Sequence, residues 1–107
     1  MFMSKTRMTV HRAKYSHCES EQDLRDELIF QGYYIFPWQD APGARYAPHQ
    51  HHHDEFIIVQ SGSIVFTIDG QEIRVEAGDM LVLPEGTQHS AENTSDLPVR
   101  YLICSKQ

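Results

Sequence analysis

Along most of this chain, hydrophobic and polar side chains alternate with a period of two residues, the pattern of half-buried β-strands. The strand-like segments are 33–38, 55–60, 64–68, 71–75, 80–83, 89–93 and 99–104. Turns containing glycine or proline separate them, among them Asp69-Gly70, a dipeptide typical of tight β-hairpins. Many short strands with turns between them predict a sandwich or a barrel.

Before these strands, the pattern indicates one short helix. Ser20 is suited to the N-cap because its hydroxyl can accept a hydrogen bond from the first turn, and acidic residues follow it. Leu24 and Leu28 lie one helical turn apart on the same face, and Gly32 is a natural stop. We therefore predict a helix of about three turns, as this spacing implies.

The length of 107 residues predicts a single domain. Within it, we assign residues 1–18 to an N-terminal tail with an edge strand, 19–32 to the short helix and 33–107 to the barrel. Hydrophobic residues make up 40% of the chain and charged residues 22%, as in folded globular proteins. The composition therefore supports a stable core.

The net charge of −6 argues against nucleic acid and anionic membranes as partners, because both attract basic surfaces. No apolar run is long enough to span a bilayer, and the N-terminus lacks the apolar segment of a secretory signal. Cys18 and Cys104 are too few for a disulfide scaffold. We expect a cytoplasmic protein with no nucleic-acid or membrane partner.

The strand at 55–60 is apolar on both faces near its start, since Phe56 and Ile58 lie opposite the face of Glu55. A strand that is apolar on both sides is covered on both sides. Either the N-terminal helix or a second subunit could provide the second cover. We expect a homodimer.

The histidines suggest a metal site. His49 and His51 would point to the same face of a strand and form a chelating pair, and Glu55 has the same parity. His89 lies on a later strand that could lie opposite. His53 shares the parity of the pair, so a His51–His53 pair is an alternative. Imidazole and carboxylate ligands suit one divalent transition metal ion (Fe, Mn, Ni, Zn, Co or Cu), and four of them leave two octahedral positions open.

Two motifs around these residues resemble the two motifs of the cupin superfamily. The first is Gly43-x5-His49-x-His51-x3-Glu55-x6-Gly62, and the second is Gly78-x5-Pro84-x-Gly86-x2-His89-x3-Asn93. The resemblance implies an all-β fold, an antiparallel jelly-roll barrel. It also implies a metal at the mouth of the barrel, held by four ligands: His49, His51, Glu55 and His89. With these ligands, His53 is expected at the mouth and His52 is expected to point away.

The fold hosts different functions, so the ligands do not determine the reaction. We expect a dioxygenase-like, metal-dependent enzyme acting on a small organic molecule, with Glu55 as a catalytic base if it leaves the metal. Arg45, Tyr46 and His53 are candidates for substrate binding, and Arg45 could attract a carboxylate or an enolate. As ordinary loop residues, Arg45 and Tyr46 need no such role.

Other functions remain open for the same barrel. They are a metal-dependent isomerase, epimerase or lyase, a non-catalytic module that binds or senses small molecules, and a barrel that the metal only stabilises. Tyr34 and Tyr101 are acid–base candidates by residue type alone. A second metal site at His17 and Cys18 would lack two further ligands in the sequence.

Overall fold

The structure is a computed structural model that describes residues 8–106. Of the N-terminal tail predicted for residues 1–18, residues 1–7 lie outside the described part. The described part contains one helix and nine strands. In chain order, they are β1 (Thr9–His11), α1 (Glu21–Phe30), β2 (Tyr33–Asp40), β3 (Arg45–His49), β4 (Glu55–Ser61), β5 (Ser63–Ile68), β6 (Gln71–Glu76), β7 (Met80–Leu83), β8 (His89–Glu92) and β9 (Val99–Lys106).

The strands form two antiparallel sheets, with the orders β1-β7-β4-β9-β2 and β3-β8-β5-β6. Side chains from both sheets meet in one core, which includes Ile57 and Val59 of β4 and Phe66 of β5. The predicted all-β, antiparallel jelly-roll class with one N-terminal helix is confirmed. The two sheets remain separate, so their hydrogen bonding does not close into a continuous barrel.

The hairpin of β5 and β6 turns at Asp69 and Gly70, as the sequence predicted. Both residues have positive φ, 52° and 74°. Positive φ at both central residues is the requirement of the type I′ turn, whose twist matches that of the flanking strands.

The helix α1 begins as predicted, because the side chain of Ser20 accepts a hydrogen bond from the Asp23 backbone N–H at 3.1 Å. Leu24 and Leu28 are buried and pack against the face of β4 that carries Ile58. The helix therefore provides the second cover of β4. No helix in residues 8–106 is long and apolar enough to cross a membrane.

One strand was not predicted from the sequence. Strand β3 pairs with β8 at the edge of the smaller sheet, and all of its residues are exposed. A fully exposed strand shows no alternation of burial, and Pro48 is compatible with a strand only at an edge. The hydrophobic pattern therefore carries no signal for β3, although β3 turns out to position the candidate site.

An ion pair ties α1 to the larger sheet. Glu21 accepts hydrogen bonds from Arg100 of β9 at 2.6 and 2.9 Å and from Arg25 at 3.1 Å. The hydrogen bond from Arg100 is the main cause that lowers the pKa of Glu21 to about 2. Because both partners are partly exposed, we expect the pair to stabilise the fold by about 1–2 kcal/mol after solvent screening.

We predict that Glu21→Gln lowers the free energy of unfolding by about 1–2 kcal/mol at pH 7, measured by urea denaturation. The folded-state pKa is below the unfolded value, so this stabilisation is present above about pH 4.5 and is lost as the pH falls toward 2. Glu72→Gln, at an exposed position of β6, is the matched control. An equal loss of unfolding free energy in the two variants at pH 7 would show that the ion pair of Glu21 does not stabilise the fold.

Candidate metal centre

Four segments bring the candidate ligands together. His49 is the last residue of β3 and His89 is the first of β8, and the sheet register places them directly opposite each other. His51 follows in an irregular segment, and Glu55 begins β4. His49 and His51 therefore do not share one strand face, because β3 ends at His49. The irregular segment brings His51 to the same point.

The three imidazoles converge closely. One nitrogen from each of His49, His51 and His89 lies within 4.8 Å of the others. The ring centroids are 4.9 Å apart for His49 and His51, 4.4 Å for His49 and His89, and 5.3 Å for His51 and His89. Nitrogens bound to a common ion at about 2.1 Å lie roughly 3 Å apart, so small side-chain adjustments would complete the geometry.

Two of these rings are oriented by backbone carbonyls. The Nδ1 of His49 lies 2.7 Å from the Ala47 oxygen, and the Nδ1 of His89 lies 2.9 Å from the Thr87 oxygen. A carbonyl can only accept, so Nδ1 carries the proton and Nε2 of the neutral ring keeps its lone pair. In metalloproteins, a histidine ligand typically donates such a hydrogen bond from the ring nitrogen that does not bind the metal. The donor set therefore fits a transition metal.

Burial of His89 favours the neutral form of its imidazole ring. Its side chain is buried, and this burial is the largest cause that lowers its pKa, with a further contribution from the neighbouring His49. The hydrogen bond to Thr87 acts in the opposite direction. The net lowering favours the neutral ring, the form that binds metal ions.

Glu55 and His53 both lie near His51, one of the three clustered histidines. The Oε2 of Glu55 lies 3.6 Å from the Nε2 of His51, and Glu55 is buried. A ligand atom of His53 also lies within 4.8 Å of those of His51 and Glu55, so the alternative pair keeps a geometric basis. His53 is exposed, however, and His52 lines a separate surface depression beside Pro84.

The histidines open into a cavity of about 220 Å³ between the sheets. Most of its walls are apolar or aromatic. The lining residues are Phe36, Trp38, Tyr46, His49, His51, Glu55, Ile57, Phe66, His89, Ala91, Tyr101 and Ile103. Of the candidates for substrate binding, Tyr46 lines the cavity but Arg45 does not. Its exposed side chain lies outside the cavity, with Nε 4.0 Å from Glu92 Oε1.

Sequence reasoning missed one buried carboxylate, that of Asp40 at the end of β2. It accepts hydrogen bonds from the Tyr46 hydroxyl at 2.5 Å, the Tyr101 hydroxyl at 2.6 Å and Trp38 Nε1 at 3.0 Å. Burial first, and then Asp40, raise the pKa of both tyrosines. The predicted strand ended at residue 38, and the register that pairs β2 with β9 and brings Asp40 near Tyr101 is not visible in the sequence.

A smaller group lies at the surface, where Glu27 of α1 joins His17 and Cys18. The Nε2 of His17 lies 2.8 Å from Glu27 Oε1, and the Cys18 thiol lies 3.9 Å from the same oxygen. The structure thus adds one of the two ligands that the sequence lacked. The group is explained as a surface hydrogen bond between His17 and Glu27 with a neighbouring thiol.

Residues 38–105 match the family model described as a cupin domain. The match covers both motifs completely and every candidate ligand. The chain therefore belongs to the cupin family, as the resemblance in its two motifs implied.

Relatives with different roles share this fold. The chain is 33% identical over 64 residues to the tetracenomycin polyketide synthase protein TcmJ of Streptomyces glaucescens, covering 59% of this chain and 43% of TcmJ. It thus spans less than half of that relative. A cupin sugar phosphate isomerase of Silicibacter pomeroyi is 25% identical, with a TM-score of 0.60 over 71% of this chain and 51% of the isomerase.

The polyketide cyclase RemF of Streptomyces resistomycificus has a TM-score of 0.64 over 69% of this chain and 54% of RemF. Its identity of 21% shows likeness of fold alone.

Proposed function

We propose that this cupin binds one divalent transition metal ion through His49, His51 and His89, with Glu55 as a fourth ligand, and acts on a small organic molecule. One observation carries the proposal. The imidazoles of His49 and His89 are oriented by carbonyls so that their Nε2 lone pairs are free, at the wall of a cavity of about 220 Å³. The metal could be Fe, Mn, Ni, Zn, Co or Cu.

The residues around the site support catalysis of the dioxygenase type. A metal ion held there would supply Lewis acidity toward substrate oxygens and, as Fe(II), electrons for dioxygen. The apolar walls formed by Ile57, Phe66 and Ile103 would exclude water from a bound substrate. Glu55, when not bound to metal, is placed to accept a proton from a substrate that lies against His51.

A second candidate is a reaction without a redox step, such as isomerisation, epimerisation or lyase chemistry. It is favoured by the names of similar proteins, which include a polyketide synthase protein and a sugar phosphate isomerase. In this case the same ligands and Glu55 would serve proton transfer next to a carbonyl. A module that binds a small molecule without reaction is a third candidate, since one fold serves many functions.

Oxygen consumption separates these candidates. We predict that the Fe(II)-loaded protein consumes dioxygen with at least one member of a panel of diketones, catechols, flavonols and thiols, at a rate well above that of free Fe(II). His89→Ala removes a buried ligand and is expected to abolish the uptake, while His52→Ala leaves it unchanged. If metal and compound bind but no compound of the panel causes oxygen consumption, the second or third candidate is favoured instead.

We further propose a homodimer of cytoplasmic location. Support for a dimer comes from the edge strand β2, which exposes 61% of Tyr34 and 57% of Phe36. Both cysteines are free, which is compatible with a reducing compartment. Light scattering on the purified protein measures the mass, and a monomer at micromolar concentration would contradict the dimer.

A further inference from the structure

A cluster of four hydrogen-bonded side chains, Asp40, Trp38, Tyr46 and Tyr101, lies along one side of the cavity. Asp40 is only 6% exposed, and three donors surround its carboxylate. The other three members all line the cavity that also holds the histidines. Ligands in this cavity therefore meet the cluster as well as the metal site. We call these four residues the Asp40 cluster.

The hydrogen bonds decide what the cluster can offer to a ligand. A carboxylate only accepts, so the hydroxyls of Tyr46 and Tyr101 must donate to Asp40. The Trp38 N–H is also committed, since it lies 3.0 Å from Asp40 Oδ1 and 2.9 Å from the Tyr46 oxygen. The remaining capacity consists of lone pairs on the tyrosine oxygens. The Asp40 cluster can therefore accept a hydrogen bond from a ligand, but it has no free donor.

The rest of the cavity carries no positive side chain to hold an anion. Among the described residues that line it, none is lysine or arginine. Arg45, the candidate from the sequence, lies outside and approaches Glu92. An anionic group placed beside the Asp40 cluster would lose hydration without gaining a partner, which is costly. Only the metal end of the cavity can accept negative oxygens.

We propose that the Asp40 cluster is a second substrate subsite, which selects a largely apolar ring compound that carries a hydroxyl group at the end remote from the metal. The proposal rests on the proposed function, because the metal ligands hold the other end of the same molecule. Flat aromatic side chains, Phe36 stacked on Trp38 with ring centroids 5.7 Å apart, also line the cavity and offer a surface for a ring. Phosphorylated or carboxylated substrates are disfavoured at the remote end.

Asp40 acts here as a positioning residue. The hydroxyl protons of Tyr46 and Tyr101 are both donated to its carboxylate. Each hydroxyl could otherwise donate to a ligand or accept from it, but here it can only accept. The substitution Asp40→Asn replaces the carboxylate by an amide, which brings its own N–H donors and releases the tyrosine hydroxyls. It should therefore change which ligand is preferred, which a change at a merely structural residue would not do.

Three β-diketones test the proposal, because they share one chelating end and differ only at the other. They are 1-phenyl-, 1-(4-hydroxyphenyl)- and 1-(4-carboxyphenyl)-1,3-butanedione. Their affinities for the Zn²⁺-loaded protein are measured by isothermal titration calorimetry. We expect the hydroxyphenyl compound to bind about tenfold more tightly than the phenyl compound, as one hydrogen bond supplies. The carboxyphenyl compound should bind at least about tenfold more weakly than the phenyl compound.

Substitutions in the Asp40 cluster test whether these residues cause the preference for the hydroxyphenyl compound. Tyr101→Phe and Tyr46→Phe should each reduce the hydroxyl preference, leave the affinity for the phenyl compound unchanged and retain zinc. Tyr33→Phe, which removes a tyrosine hydroxyl outside the cavity, is the matched control. Asp40→Asn should shift the preference toward the carboxyphenyl compound. Circular dichroism verifies that each variant is folded.

The outcomes distinguish this proposal from the proposed function. A carboxyphenyl preference in the unaltered protein, or a hydroxyl preference that survives in both cavity tyrosine variants, would overturn the subsite. Zinc binding without binding of any diketone would also overturn it, while the metal site stands. Loss of zinc binding in the unaltered protein would overturn the proposed function itself.

Discussion

Replacing His89 by alanine is expected to abolish metal binding. His89 is buried, oriented by Thr87 and opposite His49 in the sheet register. Loss of a partner that only orients a ligand typically costs 10–100-fold in metal affinity, so loss of the ligand itself should cost more than about 100-fold. We expect the metal content, measured by elemental analysis after expression in supplemented medium, to fall from near one ion per chain to a trace.

Two other histidines provide the controls. His52→Ala removes the same chemical group from a residue outside the cavity, so its metal content should match that of the unaltered protein. His53→Ala tests the alternative pair, because its nitrogen approaches those of His51 and Glu55. Strong loss in His53→Ala with little loss in His49→Ala would move the site to the alternative. Absence of metal from the unaltered protein would refute the site.

Replacing Gly62 by alanine is expected to cause the largest loss of stability. Gly62 has a φ of +79°, which costs any other residue about 1 kcal/mol. A Cβ at this position would also lie 2.5 Å from the backbone oxygen of Pro98 and 3.0 Å from the Val99 Cα. Backbone cannot swing aside as a side chain can, so β4 and β9 would have to separate. We expect a loss of about 3 kcal/mol or more in the free energy of unfolding.

Gly43→Ala is the matched control for this prediction. Gly43 has a similar φ of +85°, but a Cβ there would meet no atom within 4 Å. Only the backbone cost remains, so we expect a loss of about 1 kcal/mol in urea denaturation. Equal losses at the two glycines would show that the contact with Pro98 is relieved at little cost.

Local features of the fold were predictable because neighbouring residues determine them. The cap at Ser20 and the turn at Asp69-Gly70 each depend on a few adjacent residues, and both are confirmed. Strand β3 has no such signal, since its side chains are all exposed and its position depends on its pairing with β8, which is distant in sequence, and on the hydrogen bond from Tyr46 to Asp40. The prediction that His49 and His51 share a strand face is wrong for the same reason. It assumed that one strand runs through both His49 and His51, whereas β3 ends at His49.

The sequence predicted the candidate metal ligands but not the residues that surround them. The two motifs identified His49, His51, Glu55 and His89. The structure brings the three histidines together and places Glu55 beside His51. Arg45 lies outside the cavity, with its guanidinium near Glu92, so its role in substrate binding stays a prediction. Asp40, by contrast, was missed. Its partner Tyr101 lies far along the chain, and only the pairing of β2 with β9 brings them together.

The sequence by itself determined the fold class, the short capped helix and the identity of the candidate ligands, because these depend on local spacing and on motif residues. Only the tertiary structure decided that α1 covers β4, that the register sets His49 opposite His89, and that Asp40 orients two cavity tyrosines. The physical reason is that sheet register and packing are long-range properties. They are set by which strands pair, and no short stretch of sequence contains that information.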